Sequence, residues 1–166
     1  LTIGAESTSV SGNHPFYGSN NITSFSLDRE LVKAHDKVSM NLFKNHTKLT
    51  NVTLDEQVKT IYSNMFYNTG ITSITIPGSV TRIEENAFSD CANLATVSFK
   101  PSITDTPLTI DVQSKYLDYT PFYDSNNITN LNINRELVKA NDYMPMALFR
   151  NHSKLANVNI GEQMET

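Results

Sequence analysis

The residues that could carry out chemistry are few. The 166-residue chain has four histidines and one cysteine, Cys91. His46 and His152 lie in the related sequences Asn-His-Thr and Asn-His-Ser, at equivalent positions of a repeat, which indicates a role in a turn rather than as a base. Cys91 lies where a repeat turns inward and is expected to be a small buried residue, not a nucleophile. We therefore expect no catalytic residue among them.

Carboxylates could act in pairs, but the sequence places no such pair. A glycoside hydrolase needs two facing carboxyl groups at a defined separation, and the spacing of Glu84-Glu85, Asp28 and Asp55 does not predict one. A parallel β-helix enzyme acting on polysaccharides would cluster Asp, Lys and Arg on one strand face, and this cluster is missing. The sequence predicts a protein that is not an enzyme, with no metal and no cofactor.

Composition narrows the classes of partner. One cysteine excludes an internal disulfide framework and a multi-cysteine zinc site. The 13 Lys and Arg against 17 Asp and Glu leave a formal net charge of −4, with no basic face for nucleic acid or anionic lipid. No apolar run approaches the roughly 20 residues that span a bilayer, so membrane insertion is not expected.

The elements that position these residues are repeats. With a shift of 106, residues 15–60 and 121–166 agree at 27 of 46 positions, which indicates a duplicated block. Inside it runs a finer pattern: a Phe, an aliphatic residue usually six positions on, and apolar residues three and five positions after that. The six copies begin at Phe16, Phe43, Phe66, Phe88, Phe122 and Phe149.

This pattern predicts a solenoid. Apolar residues two apart, such as Ile74 and Ile76, point to the same face of a strand. The 15 to 20 residues between strands leave room for a crossover, so consecutive strands should pair in parallel. The segment 84–91 is expected to form a helical or 3₁₀ turn. Phe88, like the equivalent Phe of each other copy, should pack into its coil from the convex side.

The best-formed repeat resembles a known family. The segment 71–94 contains a strand, then Pro77-Gly-Ser-Val-Thr-Arg-Ile83, then Ala87-Phe-Ser-Asp-Cys91, and it closely resembles the repeat of BspA-type leucine-rich-repeat surface proteins. The resemblance implies a β-rich α/β fold, a right-handed leucine-rich-repeat solenoid with a parallel concave sheet. It also implies a secreted or cell-surface protein used in adhesion or host-protein binding, with no catalytic residues to carry over.

One stretch, 100–120, breaks the regular winding. Only seven residues separate Phe99 from the strand-like segment 107–111, too few for a parallel crossover, so we expect a hairpin-like excursion. The segment 1–4 is its counterpart one block earlier. The loop that follows holds Tyr116 and Tyr119, which are candidate contact residues; the alternative is that they pack on the excursion strand.

The candidate binding surface consists of the side chains between the strand aliphatics. All twelve are small hydroxyl or amide residues: Ser24, Ser26, Asn51, Thr53, Ser73, Thr75, Thr96, Ser98, Asn130, Asn132, Asn157 and Asn159. Six strands about 4.8 Å apart would give a polar stripe roughly 25–30 Å long. Such a stripe suits hydrogen bonds with a protein edge or a glycan, but these residues could equally satisfy one another in ladders.

Two functions follow from this sequence. The first is a recognition or adhesion module at the cell surface or outside the cell, which binds a protein or glycan of a host or matrix. The second is a structural spacer without its own ligand. We expect residues 1–166 to form one solenoid that is a fragment of a longer protein, with open ends that would allow end-to-end self-association.

Overall fold

The structure is a computed structural model that describes residues 2–3, 16, 19–33, 40–111, 120–140 and 148–161. Its secondary structure in these ranges is short strands and turns. The strands are β1 Thr2–Ile3, β2 Ser24–Leu27, β3 Val32–Lys33, β4 Asn51–Leu54, β5 Thr60–Ile61, β6 Ser73–Ile76, β7 Arg82–Ile83, β8 Thr96–Phe99, β9 Leu108–Ile110, β10 Asn130–Ile133, β11 Leu137–Lys139 and β12 Asn157–Ile160.

The strands alternate between two sides of a solenoid. The even-numbered front strands hold four residues each and form the sheets β2-β4 and β6-β8-β10-β12. The odd-numbered back strands form the sheets β1-β3 and β5-β7-β9-β11. Each of these pairs is parallel. The predicted parallel solenoid is therefore confirmed, and its front sheets correspond to the expected concave sheet.

The third side of the solenoid is a column of stacked phenylalanine rings. Along the column from Phe16 to Phe149, successive ring centroids lie 4.9, 5.8, 5.4, 5.3 and 5.2 Å apart. The Phe43 and Phe66 rings are parallel to within 1°. The four interior rings are fully buried, and the first and last pack more loosely against the same core. The prediction that six phenylalanines share one register is confirmed.

The turns that carry these rings are not helices in the described residues, which corrects the expected helical or 3₁₀ turn. An Asn or Asp two positions after the ring adopts a left-handed conformation, as at Asn68 (φ 51°) and Asp90 (φ 57°). Asn86 within the expected helical segment does so as well (φ 54°). A left-handed residue interrupts a right-handed helix, and Asn and Asp accept that conformation more readily than other side chains. The backbone instead bonds between turns, for example from Phe66 N–H to the Ala87 carbonyl at 2.9 Å.

The prediction of a hairpin-like excursion is wrong for the strand β9. β9 runs parallel between β7 and β11 as an ordinary back strand. The seven preceding residues suffice because they only turn a corner from the front sheet to the back sheet; a long crossover is needed only between strands of one sheet. β1 pairs with β3 as β9 pairs with β11, so the two segments are counterparts. Residues 112–119 lie outside the described part of the chain.

Both ladders are interrupted once, near the first turns of the solenoid. β4 and β6 are neighbours without ladder pairing. Lys100, the residue after β8, donates its N–H to the carbonyl of Ile76, the last residue of β6. The equivalent residue after β6 is Pro77, which has no N–H and cannot make this bond to β4. Between β3 and β5, hydrogen bonds that involve side chains replace the backbone ladder. The Glu30 carboxylate accepts a bond from Lys59 N–H, and the Tyr62 hydroxyl donates to the Leu31 carbonyl at 2.8 Å.

Candidate interaction surface

The polar stripe lies on the outer face of the front strands, at the positions that alternate with the core. In β6, Ile74 and Ile76 are buried while Ser73 and Thr75 face solvent. β8 and β10 alternate in the same way, as strand geometry requires, whereas all four residues of β12 are exposed. The exposed members are Ser24, Ser26, Asn51, Thr53, Ser73, Thr75, Asn157 and Asn159, and the half-buried members are Thr96, Ser98, Asn130 and Asn132.

The register of the strands brings these residues into two rows, as expected. One row aligns Ser73, Thr96, Asn130 and Asn157, and its neighbour aligns Thr75, Ser98, Asn132 and Asn159. In the separate sheet β2-β4, Ser24 pairs with Asn51 and Ser26 with Thr53. The stripe carries hydroxyl and amide groups and no charged side chain.

The half of the stripe on β8, β10 and β12 is partly satisfied by internal hydrogen bonds. Asn157 donates to the Asn130 side-chain oxygen at 2.8 Å, and Asn132 donates to the Ser98 hydroxyl at 3.0 Å. Asn130 also donates to the Thr129 hydroxyl at 2.9 Å. The first two bonds join neighbouring strands and are the ladder that the second interpretation of the stripe predicts, so this half has fewer groups left for a ligand.

The other half of the stripe is open. Within the described residues, no side-chain hydrogen bond is formed by Ser24, Ser26, Thr53, Ser73 or Thr75. The structure therefore places five exposed hydroxyls on β2, β4 and β6 that can each donate and accept a hydrogen bond. This open half lies across the interruption between β4 and β6.

A short ordered loop stands at the end of β8 where the front strands finish. The Ser102 hydroxyl accepts bonds from the N–H groups of Thr104 and Thr106 at 3.3 and 3.1 Å, which closes the loop on itself. The loop exposes Ile103, whose relative accessibility is 59%. Gly78 allows the approach, because an added Cβ would lie 2.1 Å from the Pro101 carbonyl oxygen. The loop is the described part of the predicted excursion that projects into solvent.

Arg135 anchors this loop, a role that the sequence does not predict. Its side chain is fully buried and donates to the carbonyls of Val80 and Thr106, both at 2.8 Å, and to those of Pro77 and Gly78 at 3.4 and 3.3 Å. Burial lowers the pKa of its guanidinium. Its counterpart in the duplicated block is Arg29, which is exposed and pairs with Asp28. No sequence signal separates the two arginines.

The side chains of His46 and Cys91 contact backbone carbonyls of the neighbouring turns. His46 Nε2 lies 3.0 Å from the Phe16 carbonyl oxygen, and the Cys91 thiol donates to the Phe66 carbonyl at 3.2 Å. Burial raises the pKa of the Cys91 thiol, which keeps it protonated. The described ranges contain no group of three or more His, Cys, Asp or Glu able to hold a metal ion.

Charged groups cluster on the back strands and around the turns. Lys33 pairs with Glu84 at 3.2 Å, and Arg82 pairs with the buried Asp111. At the turns, a hydrogen bond from the Tyr67 hydroxyl to Asp90, with burial and the negative charge nearby, raises the pKa of Tyr67 to about 12. These groups are engaged with one another, away from the polar stripe.

Tyr116 and Tyr119 lie outside the described residues, so the loop contacts predicted for them stay a prediction. No helix within the described ranges is long and apolar enough to cross a membrane.

Parallel strands, stacked rings and a polar front face define a leucine-rich-repeat type of β-solenoid. The sequence matches the family described as BspA type leucine rich repeat region in six copies, over residues 9–108 and 106–166. The chain belongs to this family of repeat modules. No curated protein and no solved structure matches the chain in the corresponding comparisons.

Proposed function

We propose that the protein is a recognition or adhesion module, at the cell surface or outside the cell, that binds a protein or glycan of a host or matrix. The contact surface is the open half of the polar stripe on β2, β4 and β6, extended by the loop that exposes Ile103. In this role the protein binds its partner and catalyses no reaction on it.

The observation that carries the proposal is the set of exposed hydroxyls on the open half, none of which has a side-chain hydrogen bond to another described residue. A row of exposed groups that can each donate and accept suits a neutral partner with many polar atoms, such as a glycan or the edge of a protein strand. The stripe holds no Trp, Tyr or Arg of the kind that dominates tight interfaces. We therefore expect weak individual contacts whose affinity grows when several modules act together.

The test is a binding screen of the purified chain against a glycan array and a panel of matrix proteins. Each ligand found is then tested with the variant Thr53→Lys/Thr75→Lys, which places two large charged side chains in the open half. We expect affinity to fall at least about tenfold. Both positions are exposed, so the thermal unfolding midpoint should stay within the range of ordinary surface substitutions.

Two control variants locate the contact. Asn157→Lys/Asn159→Lys changes the laddered half in the same way and should leave binding intact. Ile103→Lys tests the loop, and a loss of binding there with none in the open half would move the contact from the stripe to the loop.

The second candidate is a spacer whose repeats set the distance between other parts of a surface protein. The side-chain hydrogen bonds from Asn157 to Asn130 and from Asn132 to Ser98 favour the spacer, because these stripe residues stabilise the sheet instead of remaining free for a ligand. Absence of binding to all glycans and matrix proteins in the screen would support the spacer.

A further inference from the structure

The open half of the polar stripe contains an acceptor sequence for covalent modification. Asn51, Val52 and Thr53 form an Asn-x-Thr sequence, to which N-linked oligosaccharides are attached. The chain has five Asn-x-Ser/Thr sequences, and their acceptor residues are Asn21, Asn45, Asn51, Asn127 and Asn151. Of these five, Asn51 alone belongs to the polar stripe.

The strand β4 presents both parts of this acceptor sequence to solvent. Asn51 and Thr53 are two residues apart on a strand, so their side chains leave the same face; both are exposed, while Val52 packs against the core. Their exposure does not depend on either end of the chain, because β4 lies between β2 and β6. Within the described residues, the Asn51 amide nitrogen donates only to the hydroxyl of the adjacent Thr50, at 3.1 Å.

Asn127 shows how an acceptor asparagine looks when the fold uses its amide. It is half-buried, donates from its side-chain nitrogen to the Ala92 carbonyl and accepts a bond from the Lys154 ammonium group. An oligosaccharide on Asn127 would disturb bonds that join three neighbouring turns. On Asn51 it would disturb no described bond between strands, so the folded protein can accommodate it there.

The duplicated block supplies an internal comparison. With the shift of 106, Asn51 corresponds to Asn157 and Thr53 to Asn159, so the second block lacks the hydroxyl that completes the acceptor sequence. There the Asn157 amide nitrogen donates to the Asn130 side chain on the neighbouring strand, at 2.8 Å. The asparagine therefore takes part in the ladder in the block without the acceptor sequence, and not in the block that has it.

We propose that Asn51 is an N-glycosylation site whose oligosaccharide covers the open half of the polar stripe. The donor is an oligosaccharide linked through a diphosphate to a lipid. The side-chain nitrogen of Asn51 forms a bond to C1 of the first sugar and loses a proton, while the bond from C1 to the diphosphate breaks and the lipid diphosphate leaves. The inference rests on the proposed function, since it concerns a protein that leaves the cell and the surface through which it binds.

The position of Asn51 places the oligosaccharide over the hydroxyls of the open half. β4 is the middle strand of this half, with Ser24 directly opposite on β2 and with Ser73 and Thr75 on the other side, on β6. Paired strands lie about 4.8 Å apart, which is close to the width of one sugar ring. An oligosaccharide on Asn51 therefore reaches all three strands. The unmodified chain is the binding form, and the modified chain is the covered form.

The first experiment measures modification of Asn51 in the full chain secreted from a eukaryotic cell line. Enzymatic release of the glycans in heavy-oxygen water converts each glycosylated asparagine to a labelled aspartate, which peptide mass spectrometry locates. We expect the label at Asn51. Thr53→Ala should abolish it, and Thr53→Ser, which keeps the hydroxyl, should retain it. An unlabelled Asn51 in the wild-type chain, or a label that persists in Thr53→Ala, overturns the proposal and leaves the proposed function standing.

The second experiment measures coverage of the open half without any ligand. Thr75→Cys adds a thiol on β6, Asn159→Cys adds a matched thiol in the laddered half, and Cys91 is buried. A bulky maleimide should react with Thr75→Cys at least about threefold more slowly in the secreted chain than in the same chain carrying Thr53→Ala, because only the former is modified at Asn51. Asn159→Cys should react equally in both. Equal rates for Thr75→Cys overturn the coverage.

Binding separates this proposal from the proposed function. Each glycan or matrix protein that binds the unmodified chain from a bacterial host is tested against the secreted chains. The secreted Thr53→Ala chain should bind at least about tenfold more tightly than the secreted wild-type chain. Equal affinities of these two chains overturn the masking of the contact surface. A screen without any ligand contradicts the proposed function instead, and the mass and thiol measurements then still decide whether Asn51 is modified and the open half covered.

Discussion

Arg135 carries a positive charge into the interior without an ion pair to any described carboxylate. Four backbone carbonyls from two neighbouring turns hold its guanidinium, among them those of Val80 and Thr106. Arg is suited to this role because its planar fork presents five donors in fixed directions. One side chain thereby fixes both the ordered loop and the turn before β7.

Removal of this side chain should destabilise the protein strongly. Arg135→Ala removes the bonds to four carbonyls and empties the space of a fully buried side chain. The Pro77, Gly78 and Thr106 carbonyls keep a second donor, whereas the Val80 carbonyl loses its bond from Arg135. The lost hydrogen bonds and the cavity together are expected to lower the free energy of unfolding by about 3 kcal/mol or more. Chemical denaturation measures it. Arg29→Ala at the equivalent position of the first block is the matched control and should leave the midpoint unchanged. Equal effects of the two substitutions would contradict the role assigned to Arg135.

Two glutamates should give the stability opposite dependences on pH. Burial, together with the negative charges of Asp111 and Glu84, raises the pKa of Glu85. The folded state then holds its proton longer than the unfolded state, so stability falls as pH rises just above the ordinary pKa of about 4.3. For Glu56, burial acts to raise the pKa, but the bonds from Lys100 and Ser79 together outweigh it and the pKa is lowered. Its contribution is present above pH 4.3 and is lost on acidification.

Comparison of two amide variants isolates these contributions. At pH 7, Glu85→Gln should stabilise the protein slightly and Glu56→Gln should destabilise it, each by no more than about 0.5 kcal/mol after allowance for solvent screening. Urea denaturation between pH 3 and about pH 7 measures both. Shifts of the same sign in the two variants would contradict the assignment.

At the scale of the element, the stacked rings make each turn depend on its neighbours. Phe88 lies between Phe66 and Phe122 at 5.4 and 5.3 Å, whereas Phe149 has a described ring on one side only. Phe88→Ala should cost about 3–5 kcal/mol because it opens a cavity in a buried column. Phe149→Ala should cost clearly less, since its side chain is only partly buried. Thermal and chemical unfolding of both variants test the order, and similar losses would argue against a continuous column.

Each turn from the Phe43 ring to the Phe149 ring contains a left-handed residue two positions after the Phe. Asn68 has φ 51° and donates to the Asn45 side chain at 3.0 Å. Asn68→Ala and Asn68→Gly both remove that bond, so their difference reports the backbone strain alone. Gly should be more stable than Ala by about 1–2 kcal/mol. Equal unfolding free energies would show that the turn does not require this conformation.

The sequence predicts the repeat better than it predicts the details of each turn. The Phe register and the alternation of Ser73, Ile74, Thr75 and Ile76 are local patterns with a single structural solution, and both are confirmed. The spacing before β9 predicts half of a hairpin, and this is wrong because spacing along the chain does not say to which of two sheets a strand belongs. Local sequence also could not separate Arg135 from Arg29, since their burial depends on residues from other turns.

At the scale of the whole molecule, stability is expected to vary along the axis. In a solenoid each turn contacts only its neighbours, so local order depends on the continuity of the ladders. The back ladder is interrupted between β3 and β5 and the front ladder between β4 and β6. There the first turns are joined to the rest by the side chains of Glu30 and Tyr62, by the Phe column and by backbone bonds beside it, such as Phe43 N–H to the Met65 carbonyl at 3.0 Å. The sheets from β5 onward are uninterrupted up to β11 and β12.

Hydrogen exchange should reveal this division. Amides in β6 and β8 are expected to exchange most slowly, and those in β2 at least about tenfold faster, because the first turns can open without disturbing the longer sheets. Mass spectrometry of peptides covering these strands measures the rates. Pro77→Ala supplies the missing N–H for the Leu54 carbonyl, so if its absence causes the interruption, protection in β4 should increase in this variant. Uniform protection from β2 to β10 would show instead that the stacked rings alone bind the turns into one cooperative unit.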